Sequence, residues 1–488
     1  MKELNLHKFK FNPYLEKLYQ SNKTLIIYKV DDGYDIYTDF SKKIILNNKN
    51  IVNFLNSFEK RKYRKETDLY IGFFGYEILN NLLGLKLQKQ KKINFHKGVF
   101  YKPETIIKIR KKIYISSSIK SQKFKNFFQS TKILSPFKLN INYKKYKRIF
   151  NIFSKKIREG ETYQIKICTK YKNKSQINPM NFFWRLMKTN ASPESFLIRD
   201  KNYSIVSCSP ETLISKKGRN IITKPIAGTL RKKKNTNKSI ALKYFKNNSK
   251  ETKEHNMIVD MERSDLSKVC KPGSVKIKKE KYVEEYKHLY HYVTSISGNL
   301  LDQSTVEDII KSMMPGGSVI GCPKIRTLEL LNKQEKEDRN IFTGSFGYIK
   351  FNSDMRFNII IRSILNYKNF SEISAGTPKT RLTTPSGRPA SERARTSDTA
   401  APGVSSEAFK IIEQPAANAG ASFLAARNAG KFQGVNPRET PTGSTLTFCR
   451  RPVGLSTDRL SRFSNSSSAF HLKVSTVRSI SPCASLRG

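Results

Sequence analysis

The stretch Pro315–Arg326 reads Pro-Gly-Gly-Ser-Val-Ile-Gly-Cys-Pro-Lys-Ile-Arg and runs directly into residues 325–331, whose apolar spacing predicts a helix. A glycine loop that opens a helix presents backbone N–H groups and the positive end of the helix dipole, which favour a carboxylate or a phosphate. The loop matches neither the Walker motif nor the Gly-x-Gly-x-x-Gly pattern. Loops of this kind are more often plain turns, so the meaning of this one depends on other segments.

Length and composition favour a folded protein. The chain has 488 residues, 38% of them hydrophobic, and a mean hydropathy of −0.54, so a buried core is feasible in one large domain or two. No apolar run approaches the length of a transmembrane helix, and the start, Met-Lys-Glu-Leu-Asn-Leu-His-Lys, lacks the apolar stretch of a signal peptide. The six cysteines are dispersed without a Cys-x-x-Cys pair, which predicts reduced thiols, a cytoplasmic location and no structural zinc.

The formal charge of +52 raises the question of a nucleic-acid partner. The lysines are spread through every segment rather than gathered in one block, as expected from AT-rich coding. We find no RNP-type aromatic motif, zinc finger or basic zipper. The sequence therefore predicts a protein without nucleic-acid or membrane partners.

The order of predicted elements indicates an α+β protein with many antiparallel strands rather than regular βαβ alternation. Asp32-Gly33 marks the turn of a hairpin. The predicted segments are a hairpin at 24–37, a core segment at 71–83, helices at 143–159, 238–261 and 305–314, and strands at 162–169, 203–208, 212–215, 220–223, 344–351 and 357–365.

The composition changes sharply after Gly376. From Thr377 to Gly488 there are 12 Arg and 4 Lys, which reverses the upstream balance, and apolar periodicity disappears. One interpretation is a disordered, basic, low-complexity tail. We favour a frameshifted or chimeric join, so that residues 377–488 did not evolve with the fold.

Five ordered motifs carry a family resemblance. They are Gly160–Lys166 (Gly-Glu-Thr-Tyr-Gln-Ile-Lys), Ser209–Glu211 (Ser-Pro-Glu), Lys224–Thr229 (Lys-Pro-Ile-Ala-Gly-Thr), Glu254–Leu266 (Glu-His-Asn-Met-Ile-Val-Asp-Met-Glu-Arg-Ser-Asp-Leu), and the glycine loop with Arg362 on a later strand. This order closely resembles the chorismate-utilising enzymes, which include anthranilate synthase component I, aminodeoxychorismate synthase component I, and the isochorismate and salicylate synthases. The resemblance implies a two-sheet, mostly antiparallel core flanked by helices. It predicts an N-terminal α+β region at 1–140 and a chorismate-binding catalytic region at 141–376.

The resemblance also implies the site residues and the cofactor. The substrate would be chorismate, a dicarboxylate with a ring hydroxyl, and the cofactor Mg²⁺. Glu254 resembles the family's magnesium ligand, a hard oxygen donor for a hard ion, and Glu211 its general acid. Arg362 offers a bidentate fork to a carboxylate. Further active-site or substrate-binding positions by resemblance are Ala227, Gly228, Thr229, His291, Gly317, Ser318, Lys324 and Tyr348.

Two positions bear on the nucleophile and the branch of the family. Water-using members carry a lysine base where this chain has Gln164. Because ammonia brings its own lone pair and needs no strong base, Gln164 favours amination and stands among the predicted catalytic residues. Many aminodeoxychorismate synthases place a nucleophilic lysine where this chain has Ala227, so this position favours anthranilate synthase.

Other segments favour aminodeoxychorismate synthase, which makes 4-amino-4-deoxychorismate for folate synthesis. The Pro-Gly-Gly-Ser-Val loop and residues 261–265 resemble that branch. The elements of the tryptophan feedback site are not intact, since the second reads Asn-Ala-Ser-Pro-Glu-Ser at 190–195. No Gly-x-Cys-x-Gly nucleophile is present, so ammonia would come from a separate glutaminase subunit. Anthranilate synthase component I remains the alternative.

The point where the resemblance ends indicates a third possible function for the chain. After Gly376 the family continues with a glycine run and a glutamate that supplies a second magnesium carboxylate, whereas this chain continues Thr377-Pro378-Lys379. A catalytically inactive fragment of the family is therefore the other alternative.

Overall fold

The computed structural model describes residues 13–21, 23–85, 95–110, 113–117 and 132–380. The predicted tail beyond residue 380 lies outside these ranges. Within them, no helix is both long enough and apolar enough to cross a bilayer.

Helices and strands alternate irregularly along the chain. The helices are α1 (Pro13–Gln20), α2 (Ile51–Asn56), α3 (Tyr76–Leu82), α4 (Tyr143–Arg158), α5 (Pro179–Asn190), α6 (Lys238–Asn247), α7 (Ser249–Ser267), α8 (Val306–Met313), α9 (Gly317–Ile320) and α10 (Lys324–Gln334), with a 3₁₀ turn at Ser57–Lys60. The strands are β1 (Leu25–Val30), β2 (Gly33–Ile45), β3 (Leu69–Phe74), β4 (Gly98–Ile109), β5 (Ile113–Ser117), β6 (Lys132–Ile133), β7 (Lys138–Leu139), β8 (Gln164–Gln176), β9 (Glu194–Arg199), β10 (Tyr203–Ser209), β11 (Thr212–Lys217), β12 (Asn220–Thr223), β13 (Ile226–Arg231), β14 (Lys276–Glu285), β15 (Leu289–Asn299), β16 (Gly321–Cys322), β17 (Ser345–Lys350), β18 (Met355–Asn358), β19 (Ser363–Tyr367) and β20 (Phe370–Thr380).

Antiparallel pairing links these strands into two halves of a sheet that meet at β2 and β4. One half runs β2-β1-β9-β10-β19-β20-β8. The other runs β4-β3-β17-β18-β11-β12-β15, with β13 and β14 beside β15. Every strand pairing in the described ranges is antiparallel, and β2 pairs with β4 along most of their length.

The two halves face each other across a shared apolar core. Residues of β1 and β9 pack there with residues of β3 and β17, and the rings of Phe196 and Phe346 stack at 3.8 Å between centroids. Helix α5 covers the outer face of the first half, while α2, α4, α7, α8 and α10 contribute to the largest core cluster. The predicted α+β class, with a two-sheet, mostly antiparallel core flanked by helices, is confirmed.

Most predicted elements have counterparts in the structure, and one differs in a way that matters for the site. The predicted hairpin at 24–37 is the β1–β2 pair. The predicted strand 357–365 is wrong, because the chain leaves the sheet after Asn358 and re-enters it at Ser363. Arg362, the last residue of this excursion, has a φ of 54°, a left-handed conformation that is uncommon for a non-glycine residue. Backbone at functional sites often departs from regular strand geometry in this way.

The regions proposed at 1–140 and 141–376 share the sheet. β1 pairs with β9, and β3 pairs with β17 through six residue pairs from Ser345↔Phe74 to Lys350↔Leu69. Strand β20 also continues four residues past Gly376, and its backbone pairs with β8 as far as Thr380↔Gln164. The proposed domain boundaries themselves stay predictions.

A buried carboxylate forms hydrogen bonds with residues of both halves of the sheet. Glu194 on β9 is fully buried and accepts hydrogen bonds from Tyr28 of its own half and from Thr212 of the other half (2.5 Å). The Arg356 guanidinium on β18 donates to the same carboxylate at 2.7 and 3.1 Å. This network compensates the desolvation of the charges it buries.

Removing this carboxylate should destabilise the protein strongly. We expect Glu194→Ala to lower the free energy of unfolding by about 3 kcal/mol, because Arg356 loses its partner inside the interface. Urea unfolding of the full chain measures the effect. The matched control is Lys155→Met, which removes an exposed pair with Glu159 and should cost less than about 0.5 kcal/mol. A loss below about 1 kcal/mol for Glu194→Ala would contradict the assigned role.

Candidate active site

The glycine loop packs closely against two neighbouring elements, α7 and β8. A Cβ at Gly317 would lie 2.2 Å from the sulfur of Met261 on α7, and a Cβ at Gly321 would lie 1.9 Å from the carbonyl oxygen of Gln164 on β8. Gly321 also has a φ of 138°. Only glycine fits at Gly321, whereas a side chain at Gly317 would displace the flexible Met261 side chain, so these residues let the loop lie against both α7 and β8. The loop itself forms the short helix α9, and Pro323 then separates it from α10.

Glu211 occupies a buried position beneath this loop. It is 5% exposed, and its Oε1 accepts hydrogen bonds from the Ser318 hydroxyl (2.8 Å) and from the backbone N–H of Ile226 (3.4 Å). Burial raises the pKa of Glu211, although these hydrogen bonds and the charges of Lys166 and Arg362 oppose the shift. A raised pKa favours the protonated form of the carboxyl group, which can serve as a proton donor.

His291 connects Arg362 to the β13 residues Gly228 and Thr229. Arg362 Nη2 lies 3.1 Å from His291 Nε2, and His291 Nδ1 lies 3.0 Å from the Thr229 hydroxyl and 3.4 Å from the Gly228 carbonyl oxygen. A guanidinium can only donate, so Nε2 accepts and Nδ1 carries the proton. Burial, with a smaller effect of the Arg362 charge, lowers the pKa of His291 to about 3. The neutral imidazole therefore links Arg362 to Gly228 and Thr229 through hydrogen bonds on its two nitrogens.

Glu254 projects from α7 toward β8. Its Oε1 accepts a 2.9 Å hydrogen bond from Gln164 Nε2. Gln164 is fully buried, and its Oε1 has no hydrogen-bond partner among the described residues. The next residue on α7, His255, is also buried and its Nδ1 lies 3.3 Å from the Ala227 carbonyl oxygen, which ties the helix to β13 beside Glu254.

Sequence reasoning missed two charged residues beside this group. Glu251 lies one helical turn before Glu254, and burial together with the Glu254 charge raises its pKa. Lys166 follows Gln164 by two residues on β8, so strand alternation places both side chains on one face. The charges of Glu254 and Glu211 both act on Lys166. The two-residue period of the predicted strand could have placed Lys166 on the same face as Gln164. The three-residue spacing on the predicted helix could have placed Glu251 beside Glu254.

Lys324 lies behind the glycine loop. Its ammonium donates to the Ser312 carbonyl oxygen (2.7 Å) and pairs with Asp265 Oδ2 at 2.6 Å. Glu262, which is almost fully buried, lies near this pair, and burial with the Asp265 charge raises its pKa to about 8. The described contacts of Lys324 thus join α8 to α7, and they do not link it to Arg362 or Glu254.

Tyr348 is placed elsewhere by the structure. It packs on the core between the two sheet halves, and the charged groups that act on it include Arg356 and Glu194. No described hydrogen bond joins it to Glu211, Glu254 or Arg362. The structure brings together the predicted residues other than Tyr348 and Lys324 in one region, namely Gln164, Glu211, Ala227, Gly228, Thr229, Glu254, His291, Gly317, Ser318 and Arg362.

The acidic groups of α7 fit a magnesium ion with a partly aqueous shell. Glu254 and Glu251 are neighbouring carboxylates on one face of α7, and no described ion pair neutralises either of them. No group of three His, Cys, Asp or Glu side chains with metal-binding geometry occurs within the described ranges. Magnesium commonly uses one or two protein carboxylates and keeps several waters, so the donor set is sufficient for it.

Comparison with known proteins identifies the class to which this fold and site belong. The family model of chorismate binding enzymes matches residues 14–380, and the chain belongs to this family. The match covers the described helices and strands apart from the first residue of α1.

Relatives within the family carry two different names. The aminodeoxychorismate synthase component 1 of Bacillus subtilis is 36% identical over 43% of this chain and 44% of its own length. The anthranilate synthase component I-like protein of Synechocystis is 31% identical over 61% of this chain and 64% of its own length. The chain therefore spans about half to two thirds of the length of these relatives.

Solved structures share the fold at lower identity. The anthranilate synthase component I of Streptococcus pneumoniae aligns with a TM-score of 0.59 and 24% identity over 74% of this chain and 86% of that structure. The menaquinone-specific isochorismate synthase of Escherichia coli aligns with a TM-score of 0.61 and 14% identity over 84% of this chain and 91% of that structure.

Proposed function

We propose that the chain is component I of an aminodeoxychorismate synthase, which replaces the ring hydroxyl of chorismate with ammonia. The observation that carries this proposal is that one site contains both a buried acid, Glu211, and an uncharged amide, Gln164, which donates to Glu254. An amide cannot deprotonate water, whereas ammonia needs no such base. The family membership supplies the substrate class.

Replacement of the ring hydroxyl by ammonia requires one proton donor and one neutral nucleophile. Ammonia forms the new C–N bond at the ring while the C–O bond to the hydroxyl breaks. Glu211 donates its proton to the departing oxygen, which leaves as water. The new ammonium group then loses a proton, and the carboxylate of Glu211 is re-protonated before the next turnover. The raised pKa of Glu211 keeps the acid form available for this step.

Arg362 would bind one carboxylate of the substrate. Its guanidinium is fixed by His291, which stays neutral because its pKa is lowered to about 3. The neutral ring accepts one hydrogen bond from the guanidinium, and the fork geometry of a guanidinium suits a carboxylate. Gly228 and Thr229 line the same region through their contacts with His291.

Magnesium is the proposed cofactor, held by Glu254 with Glu251 one turn away. When bound, it would offset the charge of the ring carboxylate. Gln164 orients the Glu254 carboxylate through the hydrogen bond from its Nε2. The proposed partner is a separate glutaminase subunit that supplies ammonia, and the proposed location is the cytoplasm.

Product identification tests the proposal. The full chain is incubated with chorismate, Mg²⁺ and ammonium, and the products are separated by chromatography. We expect 4-amino-4-deoxychorismate, whereas isochorismate or salicylate as the main product would contradict the nucleophile inferred from Gln164. Binding of chorismate without turnover would support the inactive alternative.

Anthranilate synthase component I is the second candidate, supported by Ala227. This residue is 6% exposed and packs against Ile258 and Met261, so an alanine side chain suits its surroundings. A lysine there would have to displace these apolar contacts. Anthranilate as the product in the same experiment would establish this candidate.

A further inference from the structure

We propose that Lys166 is a substrate-binding residue whose ammonium contacts a carboxylate of the substrate. The inference rests on the proposed function for the identity of the substrate. It adds a second cation to the site beside Arg362, so that a dianionic ligand would meet two positive side chains.

The backbone of β8 directs Lys166 into the site. Ile165 and Ile167 point into the main core, so the alternate residues Gln164 and Lys166 point to the opposite face. Gln164 on that face reaches Glu254. The first carbons of the Lys166 side chain lie beside Gly376, where an added Cβ would be 3.8 Å from Lys166 Cβ.

Among the residues that the structure describes, Lys166 differs from the buried lysines Lys170 and Lys324 in having no bonded partner for its ammonium. Lys170 lies 2.6 Å from Glu372, and Lys324 lies 2.6 Å from Asp265. No ion pair or hydrogen bond of the Lys166 ammonium occurs in the described part of the chain, although the residue is mostly buried. Three N–H donors on a partly desolvated ammonium require acceptors, and a ligand carboxylate can supply them.

The charged groups around Lys166 indicate which carboxylate of the substrate it contacts. Burial lowers the pKa of Lys166, while the charges of Glu254 and Glu211 oppose this shift. Lys166 and Arg362 both act on the acid Glu211, but Lys166 is also influenced by Glu254, so Lys166 belongs to the side of the proposed magnesium ligand, whereas Arg362 is bound to His291. We assign the ring carboxylate to Lys166 and the side-chain carboxylate to Arg362.

Equilibrium binding tests the assignment without relying on turnover. Isothermal titration of the full chain with chorismate in the presence of Mg²⁺ gives the Kd for the wild type and for Lys166→Met. We expect the substitution to raise Kd at least tenfold, about 1.4 kcal/mol. Lys166→Arg should stay within about threefold of the wild type, because it keeps a positive charge that can donate to the carboxylate. The matched control is Lys174→Met, an exposed position on the same strand, which should leave Kd unchanged.

The wild-type chain offers an independent measurement. Reductive methylation followed by peptide mass spectrometry should show that chorismate protects Lys166 but not Lys174. Wild-type binding with an unchanged Kd for Lys166→Met, or equal labelling of Lys166 with and without chorismate, would overturn the inference. A wild-type chain that does not bind chorismate at all would instead contradict the proposed function.

Discussion

Glu211→Gln should reduce turnover of chorismate by about a thousandfold while leaving the fold intact. The amide keeps the size of the side chain and an oxygen that can accept from Ser318, so the local packing survives. It removes the only proton that Glu211 could give to the departing hydroxyl. General acid catalysis is typically worth about a hundredfold to ten-thousandfold, which sets the expected loss.

The pH dependence of turnover gives this prediction a second readout. Because only the protonated acid donates, the wild-type rate should fall as pH rises through the raised pKa of Glu211. His291 stays neutral at any pH well above its lowered pKa of about 3, so it adds no step in that range. The residual rate of Glu211→Gln should lack the alkaline fall assigned to Glu211. The matched control is Glu337→Gln at an exposed ion pair, and a Glu211→Gln rate within tenfold of wild type would contradict the role.

The family motifs, together with the periodicity of side-chain direction along strands and helices, predicted much of the site. Gln164 and Glu254 lie far apart in the sequence, yet the two motifs that contain them meet through one hydrogen bond. A period of two on β8 also contained the information that Lys166 shares the face of Gln164. That signal was overlooked because a lysine in a lysine-rich chain carries little weight alone.

Other features depended on tertiary contacts that no local pattern encodes. Arg362 reaches the site because the chain leaves the sheet after Asn358, and an apolar run such as 357–365 reads as one continuous strand. Tyr348 was assigned to the site by motif position, but the side-chain alternation of β17 directs it to the core with Phe346. The Lys324–Asp265 pair needs α7 and α10 to pack, which spacing along the chain cannot reveal.

Glu254→Gln should abolish magnesium-dependent turnover, with a loss of at least a hundredfold. The substitution keeps an oxygen that can accept from Gln164 Nε2, so the side chain can hold its place beside β8. It removes the negative charge that a hard divalent cation requires, and Glu251 alone would remain on this face of α7. Weaker metal binding should follow from the lost charge, whatever the rate of the chemical step.

Direct titration with Mg²⁺ separates metal binding from catalysis. We expect the affinity of the full chain for Mg²⁺ in the presence of chorismate to fall about tenfold or more in Glu254→Gln, with an unchanged unfolding midpoint in urea. Asp260→Asn is the matched control, because Asp260 lies on α7 in an exposed pair with Arg263, 3.2 Å away. If both variants bound Mg²⁺ as the wild type does, Glu254 would be a surface carboxylate, and the magnesium site would have to be sought on other residues.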